Sequence, residues 1–356
     1  MSPTDHPSSD DAAAPESEPG PLFGARPIPQ DAPLDVRLEA FEDIVDSEVG
    51  DTGESRARHL ERETGLRQLY LKFEGGNPTG TQKDRIAFAQ AMDALRRGYD
   101  AVTVATCGNY GVATALAARL ARLGCKIFIP AGYHTDRSRE MEAQGAEIFR
   151  PSGDYEAAVE ASRRYAEERE VYDANPGGAN EALQLKAYGE IAWELYDTLR
   201  DAPAVVAVPV SNGSTLAGIY KGFLSLYRRG KTSRLPRMVA GSSWRKNPIV
   251  EAFRKDLDHC PDLEPRRIRE TAVNEPLVNW HSIDGDAALH AIRATGGWAS
   301  HVSDRAMTRM ARTLRLEEGF NVLPASTAGL VALLEGYRQQ NLPGDRYVAV
   351  LTGRRR

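Results

Sequence analysis

The stretch EGGNPTGTQKDR, residues 74–85, places Gly75, Gly76, Pro78 and Gly80 between two regular patterns and carries one lysine. Glycine frees the backbone and proline removes a hydrogen-bond donor, so neither helix nor strand runs through it. The residues before it, RQLYLKFE, read as a buried strand, and those after it, DRIAFAQAMDALRRG, as an amphipathic helix. Lys83 therefore stands at a strand–loop–helix corner, where binding and catalytic groups are often placed. Lys72, inside the strand pattern, is expected to face outward.

The same alternation repeats along the chain. Strands are expected at Leu69–Phe73, Ala101–Ala105, Lys126–Pro130, Glu147–Arg150, Ala204–Val210, Met238–Gly241 and Tyr347–Leu351. Helices are expected around Asp84–Arg97, Gly111–Leu123, Asp136–Gln144, Asp154–Glu170, Asn180–Arg200 and Thr215–Tyr227. Strand, helix, strand at this spacing predicts an α/β fold of mostly parallel twisted sheets flanked by helices. At 356 residues the chain is long enough for two such domains. The segment Arg254–Ile283, rich in proline and charge, fits either a surface excursion or a subunit contact.

Composition excludes several functions. A net charge of −5 gives no electrostatic reason to expect nucleic acid or a membrane surface as a partner. No apolar run approaches the roughly 20 residues of a membrane span, and no signal-peptide pattern opens the chain, so a cytoplasmic protein is expected. Three scattered cysteines, Cys107, Cys125 and Cys260, make neither a disulfide framework nor a zinc spacing. The seven histidines form no metal-ligand pattern, so no metal site is expected. Residues 1–30 hold too little apolar surface to offset their ordering entropy and are expected to be a disordered tail. The closing Arg354, Arg355 and Arg356 read as a solvated basic end.

In open parallel sheets, ligands sit where strands give way to helices. The loops there are GGNPTGTQKDR, TCGNYG, SNGST and TGRRR, and converging they would make a pocket with one lysine, backbone donors and several hydroxyls. Only eight of the 45 basic residues are lysines. Lysine, unlike arginine, can be made neutral and nucleophilic, which gives Lys83 a chemical reading beside the plain one of a solvated first-turn residue. SNGST, residues 211–215, follows the apolar run AVVAVPV and opens a helix. It fits an anion site, with hydroxyls from Ser211, Ser214 and Thr215, or a tight turn with an N-cap. Within Thr106–Gly111, Asn109 either stabilises a left-handed turn or aims its amide at a ligand.

Together these features resemble the fold-type II pyridoxal-phosphate enzymes, the family of threonine synthase, serine/threonine dehydratases and cysteine synthases. KFEGGNPTGTQKDR (72–85) is similar to that family's NPTGSFKDR stretch, which implies that Lys83 is the Schiff-base lysine, catalytic and cofactor-binding at once. The resemblance implies that Asn109 meets the ring hydroxyl of pyridoxal 5'-phosphate. It implies that Ser211, Asn212, Gly213, Ser214 and Thr215 hold the phosphate. The loop amides at Thr106, Cys107, Gly108 and Tyr110 would receive the substrate carboxylate. VAVLTG (348–353) resembles the strand whose hydroxyl residue, here Thr352, meets the pyridine nitrogen. NPGGANEALQLKAYGEIAWEL (175–195), NPIVEAF (247–253), ALHAIRATGGWASHVSD (288–304) and LPASTAGLVALL (323–334) resemble the threonine synthase branch.

The family implies a larger cofactor-binding domain from residues 31–84 and 171–356, and a smaller one, 85–170, bearing the asparagine loop. It also implies a small amino-acid substrate, a homodimer, and elimination or replacement at Cβ or Cγ. A threonine synthase would convert O-phosphohomoserine; a dehydratase or β-replacement synthase would stop after, or trap, a first elimination. Leu323, where that branch has glutamate, departs from the pattern. So do Gln82 before the lysine, DTGES at 51–55, and SNGST itself.

Overall fold

The computed structural model describes Pro29, residues 32–340, Leu342 and residues 345–355. The tail expected over residues 1–30 lies outside these apart from Pro29, and so does Arg356. In chain order the strands are β1 (Glu54–Arg56), β2 (Leu69–Phe73), β3 (Ala101–Ala105), β4 (Gly124–Phe128) and β5 (Glu147–Phe149). They continue with β6 (Tyr172–Asp173), β7 (Val205–Pro209), β8 (Arg237–Ser243), β9 (Trp298–Val302) and β10 (Tyr347–Leu351). The helices are α1 (Leu34–Glu48), α2 (Arg58–Thr64), α3 (Lys83–Arg96), α4 (Asn109–Leu120), α5 (Arg137–Ala143) and α6 (Tyr155–Arg169). Then follow α7 (Glu181–Leu199), α8 (Ser214–Arg228), α9 (Pro248–Arg254), α10 (Gly285–Ala294), α11 (Asp304–Thr313) and α12 (Ala328–Gln339).

Among the described residues these strands form two sheets. The larger has six strands in the order β1-β2-β10-β7-β8-β9, with only β1 antiparallel to its neighbour. The smaller has four parallel strands in the order β5-β4-β3-β6. β7 and β10 sit inside the larger sheet and are buried at every position. That is why VVAVP and YVAVL run apolar without alternation: both their faces are covered. The α7 and α8 helices touch backbone to backbone, since a Cβ on Gly222 would lie 2.4 Å from the Gly189 carbonyl oxygen.

Every strand and helix expected from the sequence is present, with ends shifted by a few residues. The short strands β1 and β6, the strand β9, and helices α1, α2 and α9–α12 were not anticipated. Both α1 and β6, which the expected boundaries assign to the larger domain, pack on the smaller sheet's core. Phe41 of α1 stacks on Phe88 of α3 with ring centroids 5.7 Å apart, and Tyr172 of β6 pairs with Val102 of β3.

Lys72 does not face outward. It is 2 % exposed, its ammonium 2.6 Å from Glu194 and 2.5 Å from the Thr52 carbonyl. β2 is flanked by β1 and β10, and on the face that Lys72 shares its ammonium meets Glu194 of α7 rather than solvent.

Candidate active site

The loops after β2, β3, β7 and β10 meet at one place. A short 3-10 turn, Glu74–Gly76, leaves β2, and the chain then pairs across to the end of β10 through a bridge between Thr81 and Gly353. The Gln82 N–H donates to the Thr352 carbonyl at 3.0 Å. Lys83 is the first residue of α3. Its two successors pin the loop. Asp84, fully buried, accepts from the Thr79 N–H at 2.9 Å and the Thr79 hydroxyl at 2.7 Å. Burial pushes the Asp84 carboxyl up to about 6. Arg85 forms paired contacts with Glu74 (2.6 and 2.9 Å) and with Glu194 (2.6 and 2.9 Å). The Lys83 ammonium lies 5.8 Å from the Tyr110 ring centroid and 6.0 Å from that of Tyr188, between two aromatic faces.

After β3, Gly108 caps α4 and Asn109 is its first residue, so Asn109 occupies no left-handed turn and its side chain lines the pocket. Tyr110, expected to receive substrate, has its hydroxyl turned into the protein, engaged by Gln90 and by the Ala174 carbonyl at 2.7 Å; only its ring meets Lys83. Thr106 is likewise buried, beneath the loop. Cys107 and Gly108 line the outer cleft. Burial, with Glu275 adding to it, pushes the Cys107 thiol up to about 12, so it is no nucleophile near neutrality.

After β7, Gly213 turns at φ +90° and α8 begins at Ser214. The loop is gripped from behind: the Asn247 amide donates to the Ser211 carbonyl at 2.9 Å, the Ser282 hydroxyl to the same carbonyl at 3.0 Å, and the Asp284 N–H to the Asn212 carbonyl at 2.9 Å. With the carbonyls held outward, the N–H groups opening α8 carry no side-chain cap. Helix α4 also starts without a side-chain cap, whereas the first N–H of α3 donates to the Thr81 hydroxyl at 3.2 Å. The first residues of three helices, Lys83, Asn109 and Ser214, thus line one pocket, and two of those helices, α4 and α8, bring N-termini without a side-chain cap to it. Thr352 completes the wall, donating to the Ser326 hydroxyl at 3.3 Å, which in turn reaches the Gly353 carbonyl at 3.1 Å.

These groups line an inner pocket of about 90 Å³ that shares Ser211 and Asn212 with an outer cleft of about 1140 Å³. Lys83, Asn109, Ser211–Thr215 and Thr352 all line the inner pocket; Tyr110 and Thr106 do not. Ser326 and Leu323 line it as well, and the sequence signal for them was the PAST stretch. The Arg254–Ile283 segment supplies cleft wall through Pro265, Ile268–Glu270, Glu275 and Trp280.

The sequence matches the pyridoxal-phosphate dependent enzyme family over residues 45–353. The chain belongs to that family. A threonine synthase of Methanocaldococcus jannaschii is 31% identical over 309 residues, spanning 85% of this chain and 74% of its own length. A threonine synthase of Synechocystis is 30% identical over 287 residues, spanning 80% and 71%. Among solved structures, maize serine racemase superposes with a TM-score of 0.73 at 18% identity, covering 90% of this chain and 93% of its own. The processed form of threonine deaminase isoform 2 from Solanum lycopersicum gives 0.71 at 16% identity, covering 96% and 95%. These structures share the fold, a fold-type II arrangement.

Pyridoxal phosphate is the cofactor of this family, and the pocket fits it. Gly213, at φ +90° and packed against the Asp284 carbonyl with no room for a Cβ, lets the loop turn tightly into a helix start without a side-chain cap, suited to a phosphate. Lys83 borders the same pocket with no carboxylate paired to it among the described residues.

Proposed function

We propose that this protein catalyses elimination or replacement at Cβ or Cγ of an amino acid in the manner of threonine synthase, with O-phosphohomoserine or a related phospho- or acyl-activated amino acid as substrate. What carries the reading is Lys83, a lysine amine set at the mouth of an anion cradle and opposite a neutral hydroxyl wall. The threonine synthase relatives support the reaction class. Bound there, pyridoxal phosphate supplies an electron sink for the substrate's α-carbon.

The chain's own residues do the rest. Ser211–Thr215 would hold the phosphate through backbone N–H groups, and Asn109 the ring hydroxyl. Thr352, backed by Ser326, would face the pyridine nitrogen with a hydroxyl, which does not enforce protonation as a carboxylate would. Lys83 holds the cofactor at rest and is the base that takes the substrate's α-proton and returns one later. The rings of Tyr110 and Tyr188 flank its amine.

A dehydratase or β-replacement activity is the second reading. Leu323 on the pocket wall, where the threonine synthase branch has glutamate, favours it. Turnover measured with O-phosphohomoserine, serine, threonine, O-phosphoserine and O-acetylserine separates the two by product. Lys83→Ala should abolish it; surviving turnover would show that another group moves the proton. We place the enzyme in the cytoplasm as a homodimer, which light scattering of the purified protein tests. No helix among the described residues is long and apolar enough to cross a membrane.

A further inference from the structure

Asp284, outside every motif above, holds the phosphate cradle from behind at three points. Its N–H bonds the Asn212 carbonyl at 2.9 Å, and its own carbonyl packs on Gly213. Its carboxylate takes the hydroxyl proton of Ser214, the first residue of α8. Only 5 % of Asp284 is exposed. An ionised carboxylate only accepts hydrogen bonds, and Ser214 has one proton to give. While Asp284 is charged, Ser214 turns lone pairs toward any anion in the cradle, and a second negative charge stands behind it.

We propose that cofactor binding is proton-linked through Asp284: the cradle holds phosphate at full affinity only after this carboxylate takes up a proton from solvent. The protonated acid then donates to Ser214 Oγ, the hydrogen bond reverses, and the Ser214 proton is free for the phosphate. The groups facing Asp284 fit such a switch. Burial and Glu181 of α7 favour its neutral form, while Ser214, Lys221 of α8 and Lys83 of α3 favour the charged one, and the balance lies upward. A bound phosphate pushes it further the same way. The inference rests on Ser211–Thr215 being the phosphate site.

Asp284→Asn mimics the protonated state, because its amide donates to Ser214 Oγ. Dissociation constants of pyridoxal phosphate and of pyridoxal, which lacks the phosphate, are measured for the wild-type apoprotein and this variant between pH 8.5 and 5.5. Using their ratio cancels the reaction with Lys83, which both compounds share. At pH 8.5 the variant should prefer the phosphorylated compound about 10- to 100-fold more than wild type does, the worth of one hydrogen bond to a charged group. The gap should close as pH falls. Proton uptake, from calorimetry in two buffers, should be larger for pyridoxal phosphate than for pyridoxal in wild type, and that excess should shrink in Asp284→Asn, whose ligand phosphate titrates alike. Equal uptake, or a preference that Asp284→Asn leaves unchanged at every pH, overturns the linkage alone. No preference for the phosphorylated compound in either protein overturns the cradle and the linkage with it.

Discussion

Glu194→Gln tests what holds Lys83 in register. Two cations and two anions, Lys72, Arg85, Glu74 and Glu194, are packed together with side-chain exposures of 2 %, 3 %, 0 % and 12 %. The four sum to zero charge, and each ion pair measures 2.6 Å. The variant leaves two buried cations with Glu74 as the one paired anion; Glu54, opposite Lys72 on β1, has its carboxyl pushed toward the neutral form by burial. Removing one partner of such a pair costs about 3–5 kcal/mol, mainly because the remaining charge stays desolvated. The double variant Lys72→Met/Glu194→Gln restores neutrality and keeps the paired Arg85–Glu74 contact. It should therefore be more stable than Glu194→Gln alone, although it has lost more interactions. Urea unfolding of the apoproteins, followed by circular dichroism, reads both. A loss under about 1 kcal/mol in the single variant, or a double variant whose loss equals the sum of the two singles, would falsify the neutral-cluster account.

Two further outcomes follow from the site. Gly213→Ala should destabilise the apoprotein by about 1–3 kcal/mol through its positive φ, and weaken pyridoxal phosphate binding as well. Gly230→Ala, at φ +66° with open space around its Cβ position, should show the backbone strain without the binding loss; equal effects on binding would rule out the cradle. Asp84 titrates higher in the folded protein, about 6 against 3.8, so its contribution is fully present below pH 3.8 and is lost as pH rises through 6. A rise of that size corresponds to about 3 kcal/mol. Unfolding free energies of wild type and Asp84→Asn between pH 4 and 7 should diverge in slope accordingly; parallel slopes would remove Asp84 from the account.

The readable parts of this chain were those encoded over short spans. An apolar run, a glycine-rich loop and an amphipathic helix lie within about 30 residues of one another in each repeating unit, as a βαβ unit requires. Hence the strands, and the placing of Lys83, Asn109, Ser211–Thr215 and Thr352 on one pocket, could be anticipated. What escaped depended on distant partners. Nothing near Lys72 in sequence announces Glu194, so a lysine in a strand looked solvent-facing. Where the Tyr110 hydroxyl goes was not readable either: the first turn of α4 carries it toward Gln90 and Ala174. The strand β6 is two residues long, too short for any period to show. Asp284 gains its meaning only from the Ser214 hydroxyl that the fold brings to it.

The position of β10 bears on how the protein is made. All four strands of the smaller sheet come from one continuous stretch, residues 101–173, and can pair as soon as that stretch has been synthesised. The larger sheet cannot close until Tyr347–Leu351 arrives to seat itself between β2 and β7. Until then two apolar strands present unpaired edges, a hazard on the ribosome that invites chaperones and mispairing with neighbouring chains. Thr352 and Gly353, which wall the pocket and anchor the lysine loop, follow directly behind that strand. A nascent chain thus acquires a folded half early and its chemistry last.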